Sequence, residues 1–173
     1  KGFLPIVEQQ WEQATQDASD AGIRVINMRL GVVLNPRGGA LKKMLTPFKL
    51  GIGGKIANGQ QYISWIALDD VISAIYHIMA GCDIHGPVNI AAPNPATNSE
   101  FTKHLGKSLH RISVLPIPAF IIKILFGDMG KETVLTSTRM DSTKLISSGF
   151  RYKFAILGPA LDQMLGTQTE HDI

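Results

Sequence analysis

The sequence predicts an α/β fold of parallel strands joined by helices, followed by a small mixed α+β layer. Three observations carry that expectation. A long helical pattern runs directly into a strand rich in β-branched residues, which is half of a βαβ unit. A second strand leads into an apolar-periodic helix and then into another buried strand. Past Arg111 the texture changes to short extended and helical pieces.

Taken in order, Phe3, Leu4, Val7, Trp11, Ala14, Ala18 and Ala21 recur at helical spacing, which predicts an amphipathic helix over 3–21, stopped by Gly22. The nearly continuous apolar run 23–34 predicts a strand covered on both faces. Asn35-Pro-Arg-Gly-Gly39 is a turn cluster, and a short helix over 40–50 and a loop over 51–59 follow it. Residues 62–68 read as a strand, and Asp69 or Asp70 is placed to cap a helix that continues to 79. A buried strand is expected over 86–92. Thr97-Asn-Ser-Glu100 has the spacing of a capping box and opens a helix over 98–110. Beyond it we expect an extended 112–118, an apolar helix over 119–126 broken by Gly127-Asp-Met-Gly130, helices over 141–148 and 156–165 flanking a strand-like 150–154, and a polar tail. The implied division is 1–110, 111–166 and the tail 167–173.

The bulk numbers narrow the function. With 173 residues the chain fits one medium domain or part of a larger one. Lys and Arg exceed Asp and Glu by 17 to 14, and apart from Lys42-Lys43 they are scattered singly, which is a solvated surface and no nucleic-acid footprint. The longest apolar stretch, 116–126, is interrupted by Lys123 and falls short of the roughly 20 residues needed to span a bilayer, so no membrane partner is expected. Cys82 is the only cysteine, so no internal disulfide forms, and a cytoplasmic location is the expectation. The chain starts at Lys1 and leads straight into a helical pattern, so we expect the other half of the βαβ unit to precede it.

Candidate chemistry is sparse. No Gly-x-Gly-x-x-Gly follows a strand, so the turn that cradles a dinucleotide phosphate at a helix start is not encoded here. Gly51, Gly53 and Gly54 follow a helix, which fits a flexible substrate-side loop better than a phosphate cradle. His77, His85, His104, His110 and His171 include no i,i+4 pair, so no metal site is predicted. There is no Gly-x-Ser-x-Gly elbow. Asp69-Asp70 suits an acid/base pair or a cap and dipole partner, and the start of a helix favours the latter. Arg29, inside an apolar strand, should meet a carboxylate or line a cleft.

Gly2-Phe-Leu with Trp11-Glu12, Arg29-Leu-Gly-Val-Val-Leu34, Gly38-Gly-Ala-Leu41, Gly59-Gln-Gln-Tyr-Ile-Ser-Trp-Ile66 with Asp69-Asp70, Ala92-Pro-Asn-Pro95 and Gly149-Phe150 follow one another in an order that resembles the C-terminal half of extended short-chain dehydrogenases and sugar-nucleotide epimerases. More closely they resemble the atypical epimerase-like branch that ends in a small C-terminal domain of unknown function. The resemblance implies the C-terminal part of a Rossmann-like fold with a small substrate-side domain. It also implies a longer protein whose first half carries the glycine-rich turn and binds NADP or NAD, and no tight cofactor binding by these residues alone. Typical relatives carry a Tyr-x-x-x-Lys pair on the helix matching 3–21; here Phe3 and Val7 stand at those positions, and neither can carry a proton or a charge, so no catalytic residue is assigned. Sugar-nucleotide epimerases place an Arg on the strand before the Asp-helix, and Tyr62-Ile-Ser-Trp65 has none. By the same resemblance Leu30, Gly31 and Val32 approach the nicotinamide, mainly through backbone, and Gln61, Ser64 and Trp65 face the substrate cleft. The expected activity is that of an NAD(P)-dependent epimerase or oxidoreductase on an unidentified small-molecule substrate, inactive as this stretch alone; the alternative is a noncatalytic regulator or cofactor-sensing binding module on the same fold. The apolar strand 23–34 predicts pairing with the preceding half or with a second copy.

Overall fold

The computed structural model describes residues 3–81, 83–111 and 137–166. The extended segment expected over 112–118, the helix over 119–126, its break at Gly127–Gly130 and the tail 167–173 lie outside the described residues. So does most of the segment that follows the boundary expected at 111.

Helix α1 (Phe3–Gln13) is followed by α2 (Gln16–Asp20), so the single helix expected over 3–21 is interrupted. At the break the Thr15 hydroxyl donates to the Glu12 carbonyl at 2.7 Å and accepts from the Asn27 side-chain amide at 3.3 Å, a partner outside the helix. Gly22, at φ +81°, ends α2 as its position predicts.

The expected strand 23–34 also divides, into β1 (Ile26–Leu30) and β2 (Val32–Leu34), because the chain changes partner at Gly31. Strand β1 pairs in parallel with β5 (Gly86–Ile90), Ile26 facing Gly86 and Leu30 facing Ile90. Strand β2 pairs in parallel with β4 (Trp65–Ala67), Val32 facing Trp65. Between them the Gly31 amide donates to the Ile90 carbonyl and the Val32 amide to the Ser64 carbonyl. A Cβ at residue 31 would stand 2.8 Å from that Ser64 oxygen, so only glycine fits the crossing. Strand β1 is not covered on both faces: Met28 is 40% and Leu30 51% exposed. Among the described residues its edge away from β5 meets no strand.

Helix α3 (Gly39–Lys49) packs on β2. The strand expected over 62–68 resolves into β3 (Tyr62–Ile63), antiparallel to the short β6 (Ala96–Thr97), and β4; Leu68 already opens helix α4 (Leu68–Met79). Ala67 holds the N-cap position of α4 with no side-chain cap, so neither Asp69 nor Asp70 caps it. Asp70 is fully buried and accepts from the Lys153 and Phe154 amides at 2.8 and 2.9 Å, while Asp69 pairs with the exposed Lys153 ammonium at 2.9 Å. The two amides taken by Asp70 explain why 150–154 forms no strand. Helix α5 (Asn98–Ser108) opens on the expected capping box, with both bonds between Thr97 and Glu100 made. Helices α6 (Thr143–Ser147) and α7 (Leu157–Gly166) complete the described chain, α7 lying against α5.

Period-two alternation along β4 divides the core. Trp65 and Ala67 point into a cluster with Leu34, Leu41, Phe101 and Leu161, and Ile66 points into another with Val71, Val88, Ile90 and Leu145. Helices α3, α5 and α7 cover one face of the parallel layer and α4 and α6 the other, which confirms the α/β class. No helix among the described residues is long and apolar enough to cross a membrane.

Candidate functional site

A cleft of about 1540 Å³ runs along β1 from Ile26 to Leu30 and on past Gly31 and Val32 to β3. One end of it lies at the carboxyl end of the parallel strand β1, the side on which α/β sheets bind ligands. Leu30, Gly31 and Val32 form its floor; α1 contributes Trp11 and Glu12 on one side. Residues 138–141, reached after a long excursion of the chain, lie across the other side.

Of the six predicted contact residues, Leu30, Gly31, Val32 and Ser64 line this cleft and Gln61 and Trp65 do not. Trp65 is fully buried in the core and its indole N–H donates to the Asn94 carbonyl at 2.9 Å. Gln61 is half-buried and donates through Nε2 to the Ile56 carbonyl at 3.2 Å. The neighbouring loop is fixed from beneath, since buried Asn98 accepts from the Ile56 amide at 2.7 Å. The segment expected to be a flexible substrate loop is thus tied to the start of α5 at its Ile56 end.

Ser64 is buried, and its hydroxyl is used twice: it donates to the Thr138 carbonyl and accepts from the Met140 amide, both at 2.8 Å. Its neighbour Tyr62 receives the same segment, donating its amide to the Ser137 hydroxyl at 3.0 Å and accepting the Thr138 amide at 3.1 Å. Four hydrogen bonds therefore hold 137–140 along β3, and the Arg139 guanidinium rests 5.2 Å above the Tyr62 ring centre. Nothing in the spacing of Tyr62 and Arg139 along the chain signals this meeting, so sequence reasoning missed both.

Arg29 satisfies both expectations made for it. It lines the cleft and forms a two-pronged pair with Glu12, Nε and an Nη donating at 2.6 and 2.7 Å. The hydrogen bonds hold the Glu12 carboxyl below its ordinary range and raise the Arg29 guanidinium above its own. Asp141 is also held low, by the Thr143 hydroxyl and amide. Val7 is half-buried on α1 and Phe3 lies at its start, so no ionisable group stands at either position. Among the described residues no group of three His, Cys, Asp or Glu could hold a metal ion.

A parallel layer with helices on both faces makes this a Rossmann-like α/β protein. The chain is similar to the atypical epimerase-like branch of that class. Residues 117–164 match the family described as "Domain of unknown function (DUF1731)", much of that stretch lying outside the described residues. The chain is 38% identical over 160 residues to the epimerase family protein Mb2239 of Mycobacterium bovis, covering 92% of this chain and 53% of that protein. The crystal structure of human epimerase family protein SDR39U1 (isoform 2) with NADPH superimposes with a TM-score of 0.77 at 34% identity, over 83% of this chain and 49% of the other. That of the nucleoside-diphosphate sugar epimerase from Corynebacterium glutamicum gives 0.77 at 33% identity, over 96% and 32%. The chain spans about half the length of the curated relatives it matches.

Proposed function

We propose that the cleft is the nicotinamide and substrate end of an NAD(P)-dependent epimerase- or oxidoreductase-like site on a small-molecule substrate, completed by further sequence. The observation that carries the reading is the floor itself. Leu30, Gly31 and Val32 sit where the chain crosses from β5 to β4 and give the strand ends a bare, apolar surface that suits a flat ring. The residues present fit one end of a dinucleotide and not the other. No glycine-rich turn is available for the pyrophosphate, and Arg29 is already held by Glu12.

When bound, the nicotinamide supplies hydride transfer. The chain's own contribution is shape and exclusion of water. Leu30 and Val32 offer apolar contact, and Ser64 and Tyr62 fix the wall formed by 137–140. Phe3 and Val7 have no atom that can take or give a proton, so whatever proton transfer accompanies the reaction runs through other groups.

NADPH fluorescence tests this reading. The 173 residues alone are expected to give no saturable enhancement below about 100 µM, and the full-length protein to bind with an affinity of about micromolar order. Tight stoichiometric binding by the 173 residues overturns the need for further sequence; no binding by the full-length protein overturns the cofactor assignment. Phe3 and Val7 favour one second reading, a noncatalytic cofactor-sensing module, and NADPH binding without turnover of any sugar nucleotide supports it.

A further inference from the structure

We propose that Arg139, presented on the Tyr62 ring, recognises an oxyanion, phosphoryl or carboxylate, on the small molecule that enters the cleft. The inference rests on the reading of this cleft as a substrate site. Two guanidinium groups line it, and they are in opposite states. Arg29 spends its Nε and an Nη on Glu12. Arg139 has no carboxylate within ion-pair distance among the described residues, and its contact is the face of Tyr62.

A guanidinium held over a ring face is attracted through its charge, a contact that spends none of its five N–H donors on an acceptor. The backbone on both sides of Arg139 is fixed as well, through Thr138 to Tyr62 and Met140 to Ser64. A pre-set fork of this kind matches the two oxygens of a carboxylate or phosphoryl group. The nearest acid in sequence, Asp141, turns its Oδ1 to the Thr143 amide and hydroxyl at 2.9 and 2.5 Å and makes no ion pair with Arg139 among the described residues. The cation that recognises an anion thus comes from the C-terminal segment, which compensates for the strand 62–65 having no arginine.

The test titrates pyrophosphate and, separately, malonate into the full-length protein by calorimetry, with and without saturating NADPH. Wild type, Arg139→Met and Arg139→Lys are compared. Wild type is expected to bind at least one probe below about 10 mM, Arg139→Met to lose about tenfold or more, and Arg139→Lys to recover part of the loss. NADPH affinity should stay the same in all three. The probe that binds more tightly identifies the source as phosphoryl or carboxylate. Equal anion binding by wild type and Arg139→Met, or no binding of either probe by wild type, overturns the proposal. So does a parallel fall in NADPH affinity, which would place Arg139 on the cofactor. Arg139-dependent anion binding by a protein that ignores NADPH sustains the proposal while the cofactor reading fails.

Discussion

Asp69 and Asp70 are neighbours with the same side chain and different work. The Asp69 carboxylate and Lys153 ammonium are both more than half exposed, so water and salt screen their attraction. Asp70 is sealed from solvent and is the acceptor for two backbone amides from residues 83 and 84 positions further on. Removing it strands both amides, each with its desolvation cost. We expect Asp70→Ala to lower unfolding stability by about 3 kcal/mol and Asp69→Ala by less than about 1 kcal/mol, read from urea midpoints. Equal effects would show that Asp70 is no latch. Neither role was legible in the sequence. A pair of acids at a helix start points to capping, whereas the true partners of both, Lys153 and Phe154, are set by how the chain returns.

At the scale of elements, what was legible was local. The capping box before α5, the stop at Gly22 and the strand-to-helix step into α4 all depend on residues within a few positions of one another, and all were found. The breaks of 3–21 at Thr15 and of 23–34 at Gly31 involve Asn27 and the Ser64 carbonyl, which no pattern inside the element contains. The capping box also carries a pH signature. Hydrogen bonds from the Thr97 amide and hydroxyl hold the Glu100 carboxyl below its ordinary range. A carboxylate whose folded pKa is lowered stabilises the fold above its unfolded pKa, and the contribution disappears as pH falls through the folded value. Glu100→Gln keeps a side-chain acceptor but no charge. It should therefore cost about 0.5 kcal/mol at neutral pH, and the cost should shrink steadily as pH falls below the ordinary carboxylate range, by chemical denaturation over a pH series. A gap that does not close with acid would refute the charge argument.

At the scale of the whole chain the open edge of β1 stands out. Among the described residues β1 pairs with a strand on one edge only, and Met28, Leu30 and Trp11, the last 71% exposed, line the cleft along it. An open parallel edge flanked by apolar side chains is a template for another strand. The 173 residues alone should therefore associate as concentration rises, and Met28→Lys, which puts a charge beside the edge, should reduce that association in sedimentation velocity. A strictly monomeric wild type up to about millimolar concentration would remove the argument. Leu30, Gly31, Val32 and Ser64 line the cleft, Gln61 and Trp65 do not, and the segment 138–141 beside it is brought there by tertiary folding alone.

The latch at Asp70 also has a consequence in time. A ribosome builds this chain from its N-terminal end, and α4 with its buried acid emerges more than eighty residues ahead of the amides it needs. Until Phe154 leaves the exit tunnel, the parallel layer holds a polar group that only water can satisfy, so the pocket around Asp70 has to stay wet. Consolidation of the core beneath α4 therefore waits on residues made more than eighty positions later.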